Sequence, residues 1–286
     1  MCATRSWTIV RDCENAPVLS ARTLIDRDGI TLADVSCAHG AGRGEDEPAR
    51  TSHGLVFVRR GCFVRTVGAR TCVLDPTLAY GANPGEEERI DHPHDNGDDC
   101  TWLRLDAGLA AALYGGDPRL PARSLPTTPR VDLEHRRLLA AAGRGGSDEH
   151  ALVERAIGLA AAVLERDAPA RVASGRPATE RARRAVVEQA REALAADPAQ
   201  SLPELGRRLA VSPHHLSRVF RALTGATVSR HRMRLRVRAV LERLGGGERD
   251  LARLAADAGF ADQAHLCRVV RGETGTTPSA LREALA

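Results

Sequence analysis

Two groups of side chains in this 286-residue sequence stand at spacings that could do chemistry. The first lies in RIDHPHDNGDDC, residues 89–100, where His92, His94, Asp98, Asp99 and Cys100 are all metal-ligand types. A His-x-His pair followed by a carboxylate could hold a divalent cation, with His92, His94 and Asp99 as candidate ligands. The same stretch has Pro, Asn-Gly and Asp-Asp, the composition of a polar turn. The turn is the expected reading, so neither a metal nor another cofactor is expected. The second group is arginine. Arg230, Arg234 and Arg238 recur at i, i+4 and i+8, and Arg218 and Arg268 each follow a leucine by two residues in segments 50 residues apart. Guanidinium groups so placed suit phosphate or base edges; the alternative is a solvated helix face.

The elements that must position these residues follow from periodicity. Over residues 18–105, short apolar runs such as LVFV (55–58), CFVRTV (62–67) and CTWLRL (100–105) are separated by Arg60-Gly61, Asp75-Pro76 and Asn96-Gly97. That rhythm predicts a small barrel or sandwich. Residues 107–165 change to helical spacing, with Leu152, Ala156, Leu159 and Val163 on one stripe. Residues 168–178 (APARVASGRPA) read as a linker. From 179 onward the pattern is helical throughout. Asp197-Pro198 ends a first long helix, Ser212-Pro213 starts another, and a long helix over about 228–244 stops at Gly245-Gly246-Gly247.

Two segments of this helical part can be superposed. SLPELGRRLAVSPHHLSRVFRALTGATV and RDLARLAADAGFADQAHLCRVVRGETGTTP each give a short helix, a tight corner, a second helix and a Thr-Gly stop. Leu216, Arg218 and Thr224-Gly225 match Leu266, Arg268 and Thr274-Gly275. Each segment predicts a helix-turn-helix, in which the second helix enters a major groove. Two copies would read groove segments one turn apart, roughly 34 Å.

Residues 179–286 resemble the AraC/XylS-type bacterial transcription regulators. Ala255, Gly259-Phe260, Asp262-Gln263, His265-Leu266, Arg268, Gly275, Thr277-Pro278 and Arg282 carry the resemblance in the second segment, and Ser212-Pro213, Leu216, Arg218, Phe220 and Gly225 in the first. Ala210 departs from it, standing where a turn glycine is usual. The resemblance implies base-reading positions at His214, Ser217 and Arg218, and at Ala264, Cys267 and Arg268. Arg221 and Arg271 lie one turn further along and are expected on phosphate, as are Arg230, Arg234 and Arg238. The strand region resembles the cupin-like barrel that such regulators place first. The expected architecture is therefore α+β with two domains. A cupin-like β-barrel with a helical extension (1–167) senses or dimerises, and the linker 168–178 leads to an all-α pair of helix-turn-helix units joined by a long helix (179–286). Expected partners are double-stranded promoter DNA, a small-molecule effector, a second copy of the chain through the 107–165 helices, and RNA polymerase if the protein activates.

Bulk charge agrees with that division. Residues 177–286 hold 19 Arg against 12 acidic residues, whereas residues 1–176 hold 22 against 25. The basic third is the part expected to meet a polyanion. The seven cysteines include no CxxC pair, and the opening MCATRSWTIVRD lacks a secretory pattern, so a cytoplasmic protein with reduced thiols is expected. Cys267, beside Arg268, is a candidate for oxidant sensing. The competing class is a metal-dependent cupin enzyme with a helical appendage; the duplicated helix-turn-helix argues against it.

Overall fold

The strands form where β-branched and aromatic residues alternate between two apolar environments. The computed structural model describes residues 6–9, 19–27, 29–38, 40–44, 46–47, 49–146, 148–165 and 177–285. A large antiparallel sheet contains β1 (Ser6–Ile9), β2 (Leu19–Arg27), β3 (Ile30–Cys37), β5 (His53–Arg60), β8 (Leu78–Ala82), β10 (Asp98–Leu105) and β11 (Ser124–Pro126), in the order β1-β2-β3-β10-β5-β8-β11. A smaller sheet contains β4 (Asp46–Glu47), β6 (Phe63–Val67), β7 (Arg70–Leu74) and β9 (Glu88–Asp91), in the order β4-β9-β6-β7.

Both faces of the central strands β3, β10, β5 and β8 are largely buried, and period-two alternation sorts their side chains. Val56 and Val58 of β5 join Phe63, Leu74 and Tyr80 between the sheets. Leu55 and Phe57 point the other way, into a second core with Leu103, Leu138 and Leu159. That second core is roofed by α1 (Ala107–Leu113), α2 (Pro129–Arg144) and α3 (Glu149–Leu164).

Two expectations are corrected here. The β region is a pair of facing sheets, not a closed barrel. The edge of β7 meets a helix instead of a strand, and its Val73 amide donates to Glu188 at 2.7 Å; β11 is three residues long and ends at Pro126. The stripe Leu152, Ala156, Leu159 and Val163, open to two readings as a dimer surface or as packing on the chain's own strands, is buried within the chain's own core. The apolar face of α3 finds cover on the sheet, so a second copy would have to dock elsewhere. Pro177 already belongs to a helix, and most of the expected linker lies outside the described residues.

The C-terminal part consists of α4 (Pro177–Ala196), α5 (Leu202–Arg208), α6 (Pro213–Thr224), α7 (Val228–Gly245), α8 (Leu251–Asp257), α9 (Gln263–Thr274) and α10 (Pro278–Leu285). Side-chain caps set their starts. Ser201 and Glu204 form a capping box on α5, and Ser212, Thr227, Asp250 and Asp262 accept first-turn amides of α6 to α9. Gly225 and Gly275 end α6 and α9 in the left-handed conformation. Helix α7 carries two cores. Leu205, Leu216, Phe220 and Leu235 pack with α4, and Leu254, Leu266, Val270 and Leu281 pack around Val237, Val240 and Leu241.

The helical part is fastened to the sheets by buried charge. Asp75, in the turn after β7, is fully buried. It accepts from Arg191 of α4 at 3.0 Å and lies 3.4 Å from His231 of α7. Burial alone would raise its carboxyl pKa, but His231 and Arg191 hold it well below the usual carboxylate range. On α2, Asp132 accepts from Arg136 at 3.2 Å, and Arg136 reaches Glu242 of α7.

Asp75→Asn should destabilise the protein by about 3–5 kcal/mol, because Arg191 is left buried without its counter-charge and His231 without its carboxylate neighbour. The contribution of Asp75 is complete above its unfolded pKa of about 3.9 and is lost as pH falls toward its lower folded value. Acid denaturation of the variant should therefore show a shallower pH slope below about pH 4 than wild type. Ala210 holds a φ of +53° at the corner between α5 and α6. Ala210→Gly should relieve that strain and raise thermal stability by about 0.5–1 kcal/mol, read by calorimetry.

Candidate nucleic-acid interface

Each corner turns α6 and α9 so that one face packs and the other meets solvent. Leu216, Val219 and Phe220 are buried on α6, and Leu266 and Val270 on α9. The opposite face of α6 exposes His214, Arg218 and Arg221, with Ser217 half-buried among them. These four side chains line one open concavity with Ala222 and Gly225. Arg218 is steadied by the His215 ring, 3.4 Å from its guanidinium. On α9, Ala264, Arg268 and Arg271 are exposed, while Cys267 is half-buried and packs against the core behind it.

The two units repeat down to their hydrogen bonds. Thr224 Oγ1 donates to the Phe220 carbonyl at 2.7 Å, and Thr274 Oγ1 to the Val270 carbonyl at 2.7 Å. Each hydroxyl also accepts the amide two residues on, at 3.2 Å. The corners differ by one residue. Val211 donates to Gly206 where Phe260 donates to Ala255. Gly206 has a reason in this geometry: a Cβ there would meet the Val211 carbonyl at 2.9 Å.

The arginines of α7 divide. Arg230 is exposed and lies 4.0 Å from Glu273 of α9. Arg234 is half-buried, and its pKa is lowered by burial and by Arg230. Arg238 is 1% exposed and donates to both the backbone and the hydroxyl oxygen of Thr127 at 2.9 Å. Its Nε lies 4.0 Å from Asp132. A group bonded into the interior in this way cannot also reach a phosphate, so Arg238 leaves the expected contact set and joins the fastening of α7. Arg232 and Arg236, not singled out by the stripe, hold backbone. Arg232 donates to the Pro198 and Ala199 carbonyls, and Arg236 donates to Gly259 in the second corner at 2.7 Å.

The histidine-rich stretch is also rearranged. His92 is buried and its Nε2 lies 2.7 Å from Asp98 Oδ2. Burial would lower its pKa, but hydrogen bonds with Asp98 and Cys37 raise it to about 9. Asp99 turns to the other face of β10, where Arg60 and Ser36 donate to it. His94 stands apart from the His92–Asp98 pair, with a buried Nε2 that lacks a hydrogen-bond partner among the described residues. His92, His94 and Asp99 therefore do not form one ligand set. Of the partners of His92, Asp98 was visible as a ligand type but Asp99 was taken in its place, and Cys37 was missed as a partner because its juxtaposition depends on strand pairing.

Residues 205–284 match the family model of a helix-turn-helix domain. None of the curated proteins matches the chain. Among solved structures the chain is similar to ToxT from Vibrio cholerae O395, at 9% identity over 91% of this chain and 99% of that one, with a TM-score of 0.36. It is similar to a DNA-binding transcriptional dual regulator from Escherichia coli K-12, at 19% identity over 34% of this chain and 89% of that one, with a TM-score of 0.32. It is also similar to the cupin domain of Cnp3 from Schizosaccharomyces pombe, at 14% identity over 33% of this chain and 69% of that one, with a TM-score of 0.29. The C-terminal region is thus a helix-turn-helix domain. It lies within residues 179–286, the segment that resembles the AraC/XylS-type regulators.

Arg238→Ala should lower thermal stability by about 3 kcal/mol or more, since Asp132 loses a buried counter-charge. The salt slope of DNA binding should stay at the wild-type value, measured by fluorescence anisotropy below the melting transition. A slope reduced by about one would return Arg238 to the phosphate contacts.

Proposed function

We propose that this protein is a sequence-specific transcription regulator whose helices α6 and α9 read two successive major-groove segments of promoter DNA. The observation that carries this reading is the repeat of two capped, corner-mounted helices with an exposed arginine at the same place, Arg218 and Arg268. Arg218 and Arg268 pair with guanine edges, and His214 and Ser217 add adaptable donors. Ala264 offers only a methyl contact. Cys267 sits at the margin of the second face. Arg221, Arg271, Arg230 and Arg234 meet phosphates, which fix register without reading sequence. At 1.5 Å per residue, the 18 residues of α7 give about 27 Å between the units, compatible with one turn of DNA.

The sheet region is the regulatory part. Asp75, Asp132 and Arg136 grip α7, and α7 holds both reading helices. An effector or a second copy that changes this grip changes the register of α6 relative to α9, a population shift between two packings. Chemistry on a substrate is not required. A site in the cytoplasm follows from the DNA partner, and no helix among the described residues is long and apolar enough to cross a membrane.

The test is binding to DNA from upstream of the protein's own gene, by anisotropy over a salt series with scrambled competitor. Specific binding with a steep salt slope is expected. Arg268→Ala should cost about 1–3 kcal/mol and relax preference at one operator position. Arg271→Ala should weaken all sequences alike and reduce the salt slope by about one. Preferences unchanged at every position in Arg268→Ala would remove α9 from the reading set.

A further inference from the structure

Three side chains of different ligand chemistry converge at one end of the two sheets. Cys37 closes β3 and Asp98 opens β10, and the two residues face each other in the strand register. His92 follows β9, on the smaller sheet, and its backbone pairs with Gly42. All three are buried, and their ligand atoms lie within 4.8 Å of one another. His92 Nε2 is 2.7 Å from Asp98 Oδ2 and 3.8 Å from Cys37 Sγ. Cys100 Sγ donates to the other Asp98 oxygen at 3.2 Å.

We propose that Cys37, His92 and Asp98 bind one divalent cation of borderline softness, best matched by zinc, that pins the smaller sheet to the larger. One sulfur, one imidazole nitrogen and one carboxylate oxygen form a donor set suited to zinc and poorly suited to magnesium or calcium. Zinc at about 2.0–2.3 Å from each donor requires donor separations of roughly 3.3–3.7 Å in a tetrahedron. The nitrogen–sulfur distance already has nearly that value. The nitrogen–oxygen distance is shorter because a proton lies between the two atoms. The cation replaces that proton and the thiol proton, so two protons leave as it binds. The fourth corner falls to a water. The donors come from paired strands and from the first residue beyond a strand, so the geometry is set before the ion arrives. This site is distinct from the expected set, since His94 and Asp99 take no part in it.

The test uses the full chain, stripped with chelator and titrated first with cobalt(II) and then with zinc. One equivalent of cobalt should bind with a thiolate-to-metal charge-transfer band, zinc should displace it, and the melting temperature should rise on binding. The band should vanish in Cys37→Ser and persist in Cys267→Ser. Asp98→Asn should weaken binding at least about tenfold. Should Cys37→Ser fail to fold, the wild-type titration and Asp98→Asn carry the test. Less than one-tenth of an equivalent bound by wild type, a band that survives Cys37→Ser, or unchanged affinity in Asp98→Asn would each overturn the proposal.

Discussion

The buried carboxylate of Asp75 is the constraint on which the arrangement of this molecule depends. Taking a charge out of water costs several kcal/mol, and the structure repays it with Arg191, His231 and two hydrogen bonds from Thr77. Arg191 and His231 lie on α4 and α7, so the turn after β7 can be satisfied only when both helices are in place. Asp132 repeats the logic from α2, with Arg136 and the buried Arg238. Such clusters add little net stability over an apolar packing. Their effect is directional, since an apolar contact tolerates sliding and a buried ion pair does not. Helix α7 is thereby fixed against the sheets in position and in rotation about its axis.

That rotation explains how the arginines of α7 divide. A helix turns about 100° per residue, so positions four apart drift by about 40° and positions eight apart by about 80°. Arg230 faces solvent, Arg234 sits at the margin, and Arg238 has rotated into the interior. Spacing at i, i+4 and i+8 describes a stripe that winds around the helix, not a straight face. The neighbours of Arg238 already pointed inward: Leu235, Val237, Val240 and Leu241 are all buried. A buried arginine needs a counter-charge from another element, and Asp132 is more than a hundred residues away in sequence.

What the sequence made legible follows the range of the interactions concerned. The helix-turn-helix pair could be read because its determinants are local. Caps at Ser212 and Asp262, the glycine stops and the buried leucines all act within one or two turns of chain, and they recur 50 residues apart. Period-two strands were legible for the same reason, although strand composition says nothing about which edges pair. Closure failed because a helix covers β7, a contact between residues 73 and 188. The stripe on α3 was correctly apolar, yet an apolar stripe does not state whether it faces a sheet or a second copy. In residues 89–100 the ligand types were visible, but the cluster needed Cys37, brought across by the β3–β10 pairing.

The smaller sheet links the two places where long-range chemistry matters. At one side β9 leads into His92, and on the other β7 leads into Asp75, with β6 hydrogen-bonded between them. A short antiparallel ladder shifts as a unit, because moving one strand alone breaks its hydrogen bonds. The cation proposed between His92, Cys37 and Asp98 would therefore act on the same rigid piece that presents Asp75 to α4 and α7. Helices α6 and α9 both pack on α7, so holding β9 at the proposed site would bear on the spacing of Arg218 and Arg268. The coupling needs no wire of special residues, only a sheet too small to bend and a helix held by charges that do not slide.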